Sequence, residues 1–343
     1  MTTLLAGKSL KFWFDASRKT ALGQSVMPYV LGTLLAVATV VYTGFAIDGT
    51  NVALMVIGLL GVILAHSGIN LLDDYFDYTG GAVKARRELE NGGMRARMGK
   101  CSYFESGVTP EDTRRVATLF IVIALLLGVV VLVLRGWPVA VFALVTLVLG
   151  VAYAGPPLRL SYHGLGELIV GIICGPLVVI AAYYVALGEI QPIAILASIP
   201  AGLLTINILN AHSIMDFESD KAANRITTVG LMGSKMAGFV FGVLLVVVSY
   251  ASVVAAVLLG VFSVFTLAVL ITLPMSIAFI RMLFLYIKEP ETPVEFKAWM
   301  GPAGNWKRIK AAGIDWFMAR WLLARNLLMA FVLIVAIGNF IRM

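Results

Sequence analysis

Residues 51–80 read NVALMVIGLLGVILAHSGINLLDDYFDYTG. From Val52 to Leu72 only His66, Ser67 and Asn70 are strongly polar, and no charge occurs before Asp73. A helix that crosses a bilayer needs about 20 predominantly apolar residues, so 52–73 predicts a membrane span. Charge then arrives at once, as Asp73, Asp74 and Asp77. Working outward, similar runs lie at 21–46, 116–135, 137–154, 165–187, 192–214, 236–259, 262–286 and 320–341. The fold class expected is all-α: a polytopic membrane bundle of about nine helices. Of 343 residues, 60% are hydrophobic and 13% are charged. A soluble domain runs at about 45–50% and about 25%, so a water-soluble fold is excluded.

Charge placement orients the spans. With the N-terminus on one side, 24 of the 26 Lys and Arg residues fall on that side. Only Arg135 and Arg342 are left for the other. The positive-inside rule makes the crowded side cytoplasmic, so the net charge of +7 reflects an anionic leaflet rather than nucleic acid. Residues 1–19 are polar and basic, with no cleavable signal evident, and the first span is expected to serve as its own insertion signal. Cys101 and Cys174 match no metal-ligand spacing.

Acidic residues follow the same division, since only Asp48 and Glu189 fall on the outer side. Two clusters stand at cytoplasmic helix ends: Asp73-Asp74-Tyr75-Phe76-Asp77 and Asp216-Phe217-Glu218-Ser219-Asp220. Each holds two aspartates four apart, which on a helix share one face at about 5–6 Å. Like charges so placed repel, and a divalent cation resolves the conflict. Mg²⁺ suits carboxylates that share it with substrate phosphates. His66 and Asn70 continue the first face inward, as His212 and Ser213 do the second; Asn207 and Asn210 lie deeper in the sixth helix. Asp73 to Asp216 and Asp77 to Asp220 are both 143 residues, which suggests a duplicated four-helix unit. The chain then reads as one domain over 1–343. It comprises a cytoplasmic segment 1–20, repeat-like halves of about 21–155 and 160–286, a cytoplasmic loop 287–319, and a last helix 320–343. Repeats of this kind bring equivalent helices together across a pseudo-twofold axis.

A site of four or more carboxylates at the mouth of an apolar bundle invites a substrate with a diphosphate head and a hydrocarbon tail. Ionising an allylic C–O bond needs a neutralised leaving group and a dry pocket. Tyr75, Tyr78, Tyr153, Tyr162, Tyr183 and Tyr184 are the candidate aromatic lining. Loops 2–3 and 6–7, long and basic, are candidate lids over the diphosphate.

This layout resembles the UbiA superfamily of intramembrane prenyltransferases, with nine helices and Asp-rich motifs after the second and sixth. Asp73 stands where the first motif has Asn, and Gly81 where it has a final Asp. With Asn70, that form looks like the menaquinone branch, the 1,4-dihydroxy-2-naphthoate prenyltransferases. The likeness continues through Trp13, Arg18, Pro28, Tyr162–Glu167, Gly175-Pro176 and Tyr183-Tyr184, to about residue 240. His212, Ser213 and Met215 depart from the two Asn and the Arg usual in that branch.

The resemblance implies Mg²⁺ held by Asp73, Asp77, Asp216 and Asp220, with Asn70, Asp74 and Glu218 in support. It points to Lys100, Arg159, Lys221 and Arg225 for the diphosphate. Glu167, His66, His212 and Tyr153 are the acceptor-side candidates. The implied partners are a polyprenyl diphosphate, an aromatic acceptor and membrane lipids, in a bacterial or archaeal cytoplasmic membrane with the site facing the cytoplasm. 4-Hydroxybenzoate, homogentisate, haem and a glycerol phosphate lipid stay open as acceptors. An ion-coupled transporter is the alternative of another class. The D-G-x-x-A-R motif of CDP-alcohol phosphotransferases is absent.

Overall fold

A computed structural model describes residues 5–44, 47–91, 101–290 and 292–341. In chain order the helices are α1 (Leu10–Ala16), α2 (Gly23–Thr43), α3 (Gly49–Thr79), α4 (Ala82–Asn91), α5 (Pro110–Arg135), α6 (Pro138–Ala154), α7 (Gly166–Ile172), α8 (Val178–Leu187), α9 (Pro192–Met215), α10 (Phe217–Ala222), α11 (Thr228–Leu231), α12 (Lys235–Leu258), α13 (Leu273–Lys288), α14 (Trp306–Ala311) and α15 (Asp315–Phe340). Eight helical segments among the described residues are long and apolar enough to cross a membrane, and the shorter α6 makes a ninth. The expected spans are thus all present.

Local chemistry starts and stops them. Asp48 caps α3 by accepting from the Asn51 amide, and Thr109 with Asp112 forms a capping box ahead of Pro110. Two spans are less regular than their apolar runs suggest. The fifth joins α7 to α8 through a π turn, Ile173–Leu177, at Pro176, because proline lacks the N–H that a regular ladder needs. The eighth opens as a 3₁₀ segment, Val264–Thr272, before Pro274 begins α13. α3 differs in the other direction: it runs on to Thr79, so its whole acidic motif is helical.

The exterior is apolar, with Leu258, Val133 and Ile271 at 82, 76 and 75% exposure. Water does not tolerate such a surface over many helices, whereas lipid does. Inside, α3 packs most extensively on α5, α9 on α12, and α2 on α8. Between hydrocarbon-solvated helices close packing drives association, which favours small residues at the contact. A Cβ on Gly32 of α2 would lie 2.2 Å from the Val179 carbonyl of α8. Gly242 of α12 makes room in the same way for Asn207 and Asn210 of α9, and Asn210 donates to the Gly238 carbonyl at 2.9 Å. These intramembrane asparagines belong to the α9–α12 contact; neither lines the cavity described below.

Candidate active site

The helical end of α3 buries Asp73, Asp74 and Asp77 at 5, 1 and 0% exposure. Three ionisable side chains in one helical turn are costly to bury unless cations and donors meet them. The first cation is Arg18, from the chain just before α2. Its backbone is left-handed (φ 63°), and its Nη2 donates to Asp73 at 3.1 Å and to the Asn70 carbonyl at 3.1 Å. The same nitrogen lies 3.3 Å from Asp74. Asn70 returns a bond from its Nδ2 to the Ser17 carbonyl at 2.9 Å. Burial works against the Arg18 charge, but Asp74 and Asp73 outweigh it and raise its pKa above the usual value.

The second cation is Arg225, buried at 6% exposure in the chain between α10 and α11. Its placement follows from two loops that zip together: Gly164 N donates to Ile226 O at 2.7 Å, and Ile226 N to Tyr162 O at 3.3 Å. Arg225 then donates to the Tyr153 hydroxyl at 3.0 Å and to the Ser161 carbonyl at 3.3 Å, and it approaches Asp77 at 3.7 Å. The Tyr162 phenol donates to Asp77. Burial first, then Asp77, push the Tyr162 pKa up, so it remains a donor.

The second acidic motif enters at the end of α9. The helix bends at Asp216 (φ −94°, ψ 7°) and resumes as α10. The turn stays closed, with Asp220 N donating to Asp216 O at 2.8 Å and Arg225 N to Asp220 O at 2.8 Å. Asp216 and Asp220 are buried at 1 and 2% exposure. Burial opposes the charge of Arg225, yet Tyr153, Asp77, Asp220 and Asp73 together raise its pKa well above the ordinary value. Arg225 thus touches both motifs, its guanidinium 3.7 Å from Asp77 and its amide donating to the Asp220 carbonyl at 2.8 Å, which brings the two clusters to one end of the bundle.

Inward from this end lies a cavity of about 500 Å³. Asp73, Asn70, Arg18 and Arg225 line its polar part, whereas Asp74, Asp77, Asp216 and Asp220 are not among its lining residues. The four acceptor-side candidates also reach it. Glu167 is engaged as a tie: it accepts from Ser213 Oγ at 2.6 Å, from Thr228 Oγ1 at 2.7 Å and from the Thr228 amide at 3.2 Å. His66 Nδ1 shares a 2.7 Å hydrogen bond with Ser25 Oγ, and His212 stacks on Phe317 and Trp321 of α15.

The expected tyrosine lining is revised, and the remaining candidates are placed as follows. Of the six tyrosines only Tyr153 lines the cavity; Tyr29, Phe142, Phe317 and Trp321 supply the rest of its aromatic wall. Tyr183 is instead bonded to Thr39, and Tyr184 to the Arg135 carbonyl. Glu218 is half-exposed and pairs with Lys235 at 3.5 Å. Lys221 is exposed. Arg159 lies over the Tyr162 ring at 4.0 Å, and Lys100 falls outside the described residues. Arg18 carried part of the family likeness in the sequence but was assigned no role there; its contact with the first acidic motif is what sequence reasoning missed.

The donors here are hard oxygens, the chemistry Mg²⁺ selects. Among the described residues no three His, Cys, Asp or Glu side chains close on one point. Mg²⁺ does not need them to, since it keeps water and phosphate oxygens and takes one or two carboxylates.

A helical bundle solvated by lipid, with an acidic head site opening on an apolar cavity, defines an intramembrane enzyme for an amphiphile. Residues 25–301 match the UbiA prenyltransferase family, and the chain belongs to it. It is an integral membrane prenyltransferase. It is 29% identical to a 1,4-dihydroxy-2-naphthoate octaprenyltransferase of Bacillus subtilis, over 78% of this chain and 80% of that protein. It is 28% identical to a 2-carboxy-1,4-naphthoquinone phytyltransferase of Synechocystis sp., over 82% and 85%. Its fold matches a solved UbiA homolog from Archaeoglobus fulgidus bound to GPP and Mg²⁺, with TM-score 0.55 and 15% identity over 93% of this chain and 99% of that one.

Proposed function

We propose that the protein transfers a polyprenyl group from its diphosphate to a ring carbon of 1,4-dihydroxy-2-naphthoate, in a Mg²⁺-dependent reaction at the cytoplasmic face of the membrane. The observation that carries this is that Arg225, which lines an apolar cavity, contacts Asp77 of the first motif and the Asp220 carbonyl of the second. The relatives' names support the acceptor, and the distribution of 24 of 26 basic residues supports the orientation. The pairing of α2 with α8, of α3 with α5 and of α9 with α12 supports two four-helix repeats joined across their first helices.

In this reading Asp73, Asp77, Asp216 and Asp220 hold Mg²⁺, with Asn70 and Asp74 beside them; the bound ion supplies charge neutralisation for the departing diphosphate. Arg18 and Arg225 keep the carboxylates in place, and Arg225, Arg159, Lys221 and Lys100 attract the diphosphate. The apolar wall excludes water from the allylic cation formed when the C–O bond breaks. The acceptor carbon closes the new C–C bond, and its carboxylate leaves as CO₂. Glu167, His66, His212 and Tyr153 orient the acceptor at the cavity's polar side.

The test is purified protein in detergent with prenyl diphosphate, Mg²⁺ and dihydroxynaphthoate, assayed for diphosphate and prenylated product. Asp73→Ala and Asp220→Ala abolish turnover if the reading holds. Turnover with 4-hydroxybenzoate or homogentisate but not the naphthoate would replace the acceptor and keep the chemistry.

A further inference from the structure

Trp13 carries part of the family likeness, yet the site built above gives it no part. It is wholly buried, at 0% exposure, on a helix of only seven residues ahead of the first span. A helix that short is marginal by itself, so its seat is what holds it. Trp13 packs with Leu71 of α3, with Val116 and Phe120 of α5, and with Leu5 and Val108 in one buried cluster. Its ring meets those of Phe12 and Tyr103 edge-on, at centroid distances of 5.4 and 6.3 Å. Its Nε1 donates to the Leu5 carbonyl at 2.9 Å, and Lys8 Nζ donates to the Ser106 carbonyl at 2.9 Å. The N-terminal segment and residues 101–109 of loop 2–3 are thus one packed unit.

Arg18 leaves this unit just past the last turn of α1. The Ser17 amide donates to the Trp13 carbonyl at 2.8 Å and the Arg18 amide to the Asp15 carbonyl at 3.1 Å, while the Ser17 carbonyl accepts from Asn70 at 2.9 Å. The backbone of Arg18 is left-handed, at φ 63°, a conformation that a residue with a Cβ keeps only where its surroundings fix it. The side chain itself is not walled in: it is 33% exposed and lines the cavity. Its guanidinium therefore meets Asp73 and Asp74 because the seated α1 delivers the backbone beside them.

We propose that Trp13 is a positioning residue of the acidic site: seated against α3, α5 and loop 2–3, it fixes Arg18 on Asp73 and Asp74 and so sets the Mg²⁺ concentration at which the site loads. The proposal rests on the reading of these aspartates as the magnesium site and adds a controlling element to it. With Trp13 seated, a divalent cation has to displace the guanidinium from both carboxylates. With the seat empty, the long Arg18 side chain turns to solvent, and the cation meets carboxylates that Arg18 no longer shares.

The test is a set of Mg²⁺ titrations of the full-length protein in detergent with an unreactive prenyl diphosphate analogue. Trp13→Leu is expected to lower the half-saturating Mg²⁺ by about tenfold, the lower end of what a hydrogen bond to a charged group is worth. Trp13→Phe refills the seat with a ring and stays near wild type. Trp13→Leu added to Arg18→Met shifts the value no further than Arg18→Met alone, because the two residues act through one contact. A packing role without positioning would lower Tm and leave the Mg²⁺ requirement where it is. A Trp13→Leu value equal to wild type or higher overturns the proposal, as does an additional shift in the double variant. If Trp13→Leu does not fold, Phe12→Leu, which trims a half-buried ring from the same seat, is required to shift the value in the same direction, and an unmoved value overturns the proposal. Wild type that binds no Mg²⁺ with the analogue brings down the magnesium reading itself.

Discussion

Arg18→Met deletes the guanidinium and keeps most of the stem's packing. The lost group bonds Asp73, Asp74 and the Asn70 carbonyl, and both carboxylates are buried. Removing one partner of a buried pair costs about 3–5 kcal/mol. The Arg18 side chain is 33% exposed, so solvent screening places the loss near the lower end, about 3 kcal/mol. For a chain of this size that is a fall in Tm of about 5 °C. The metal response has the opposite sign. Arg18 competes with any divalent cation for Asp73 and Asp74, so the variant needs less Mg²⁺ for half-saturation, by about tenfold for a 1.4 kcal/mol difference. Mg²⁺ then restores stability, because a ligand at 100 times its Kd adds about 2.7 kcal/mol. A thermal-shift titration with Mg²⁺ and a diphosphate analogue reads both effects. A variant with wild-type Tm, or one needing more Mg²⁺, would refute the view that Arg18 holds the place of a cation.

Other predictions follow from the same geometry. Tyr162→Phe removes the donor to Asp77 and costs about 1.5–3 kcal/mol, the range for a bond to a charged group, read as a lower Tm. Because burial and Asp77 hold the Tyr162 pKa up, tyrosinate absorbance of wild type and Tyr162→Phe should coincide between about pH 8 and 11; a missing transition there would show an ordinary phenol. Arg225→Lys keeps the charge but cannot reach Tyr153, Ser161 and Asp77 together, and kcat/KM falls by about 100-fold or more, equivalent to about 2.7 kcal/mol. Arg135→Ala strips three bonds, to the Val185 and Ala186 carbonyls of α8 and to Asn51 Oδ1 of α3, and lowers Tm with a loss of about 3 kcal/mol or more.

The spans were legible because hydrocarbon demands about 20 apolar residues in a row and charge ends each run abruptly. The acidic pairs were legible because carboxylates at four-residue spacing have few bland explanations. What lay beyond reach were contacts between distant segments. Arg18 meets Asp73 across 55 residues of sequence and Tyr162 meets Asp77 across 85; Arg18 stood out by family likeness, but nothing in the sequence said which carboxylates it would meet. Tyrosine positions were visible but not the faces they occupy, so Tyr183 and Tyr184 read as lining when they serve helix packing. Asn210 was visible as a costly polar group within the sixth helix, but its partner is a backbone carbonyl on α12, which no side-chain pattern announces.

The central claim is that acids from the second and sixth membrane helices make one magnesium diphosphate site. Calorimetric titration of Mg²⁺ into wild type, Asp77→Asn and Asp220→Asn, each with an unreactive prenyl diphosphate analogue, tests it most directly. The account predicts that either single substitution abolishes binding of the metal and the analogue together. Retention by each variant of an independent binding step at wild-type affinity, with half the stoichiometry, would contradict it.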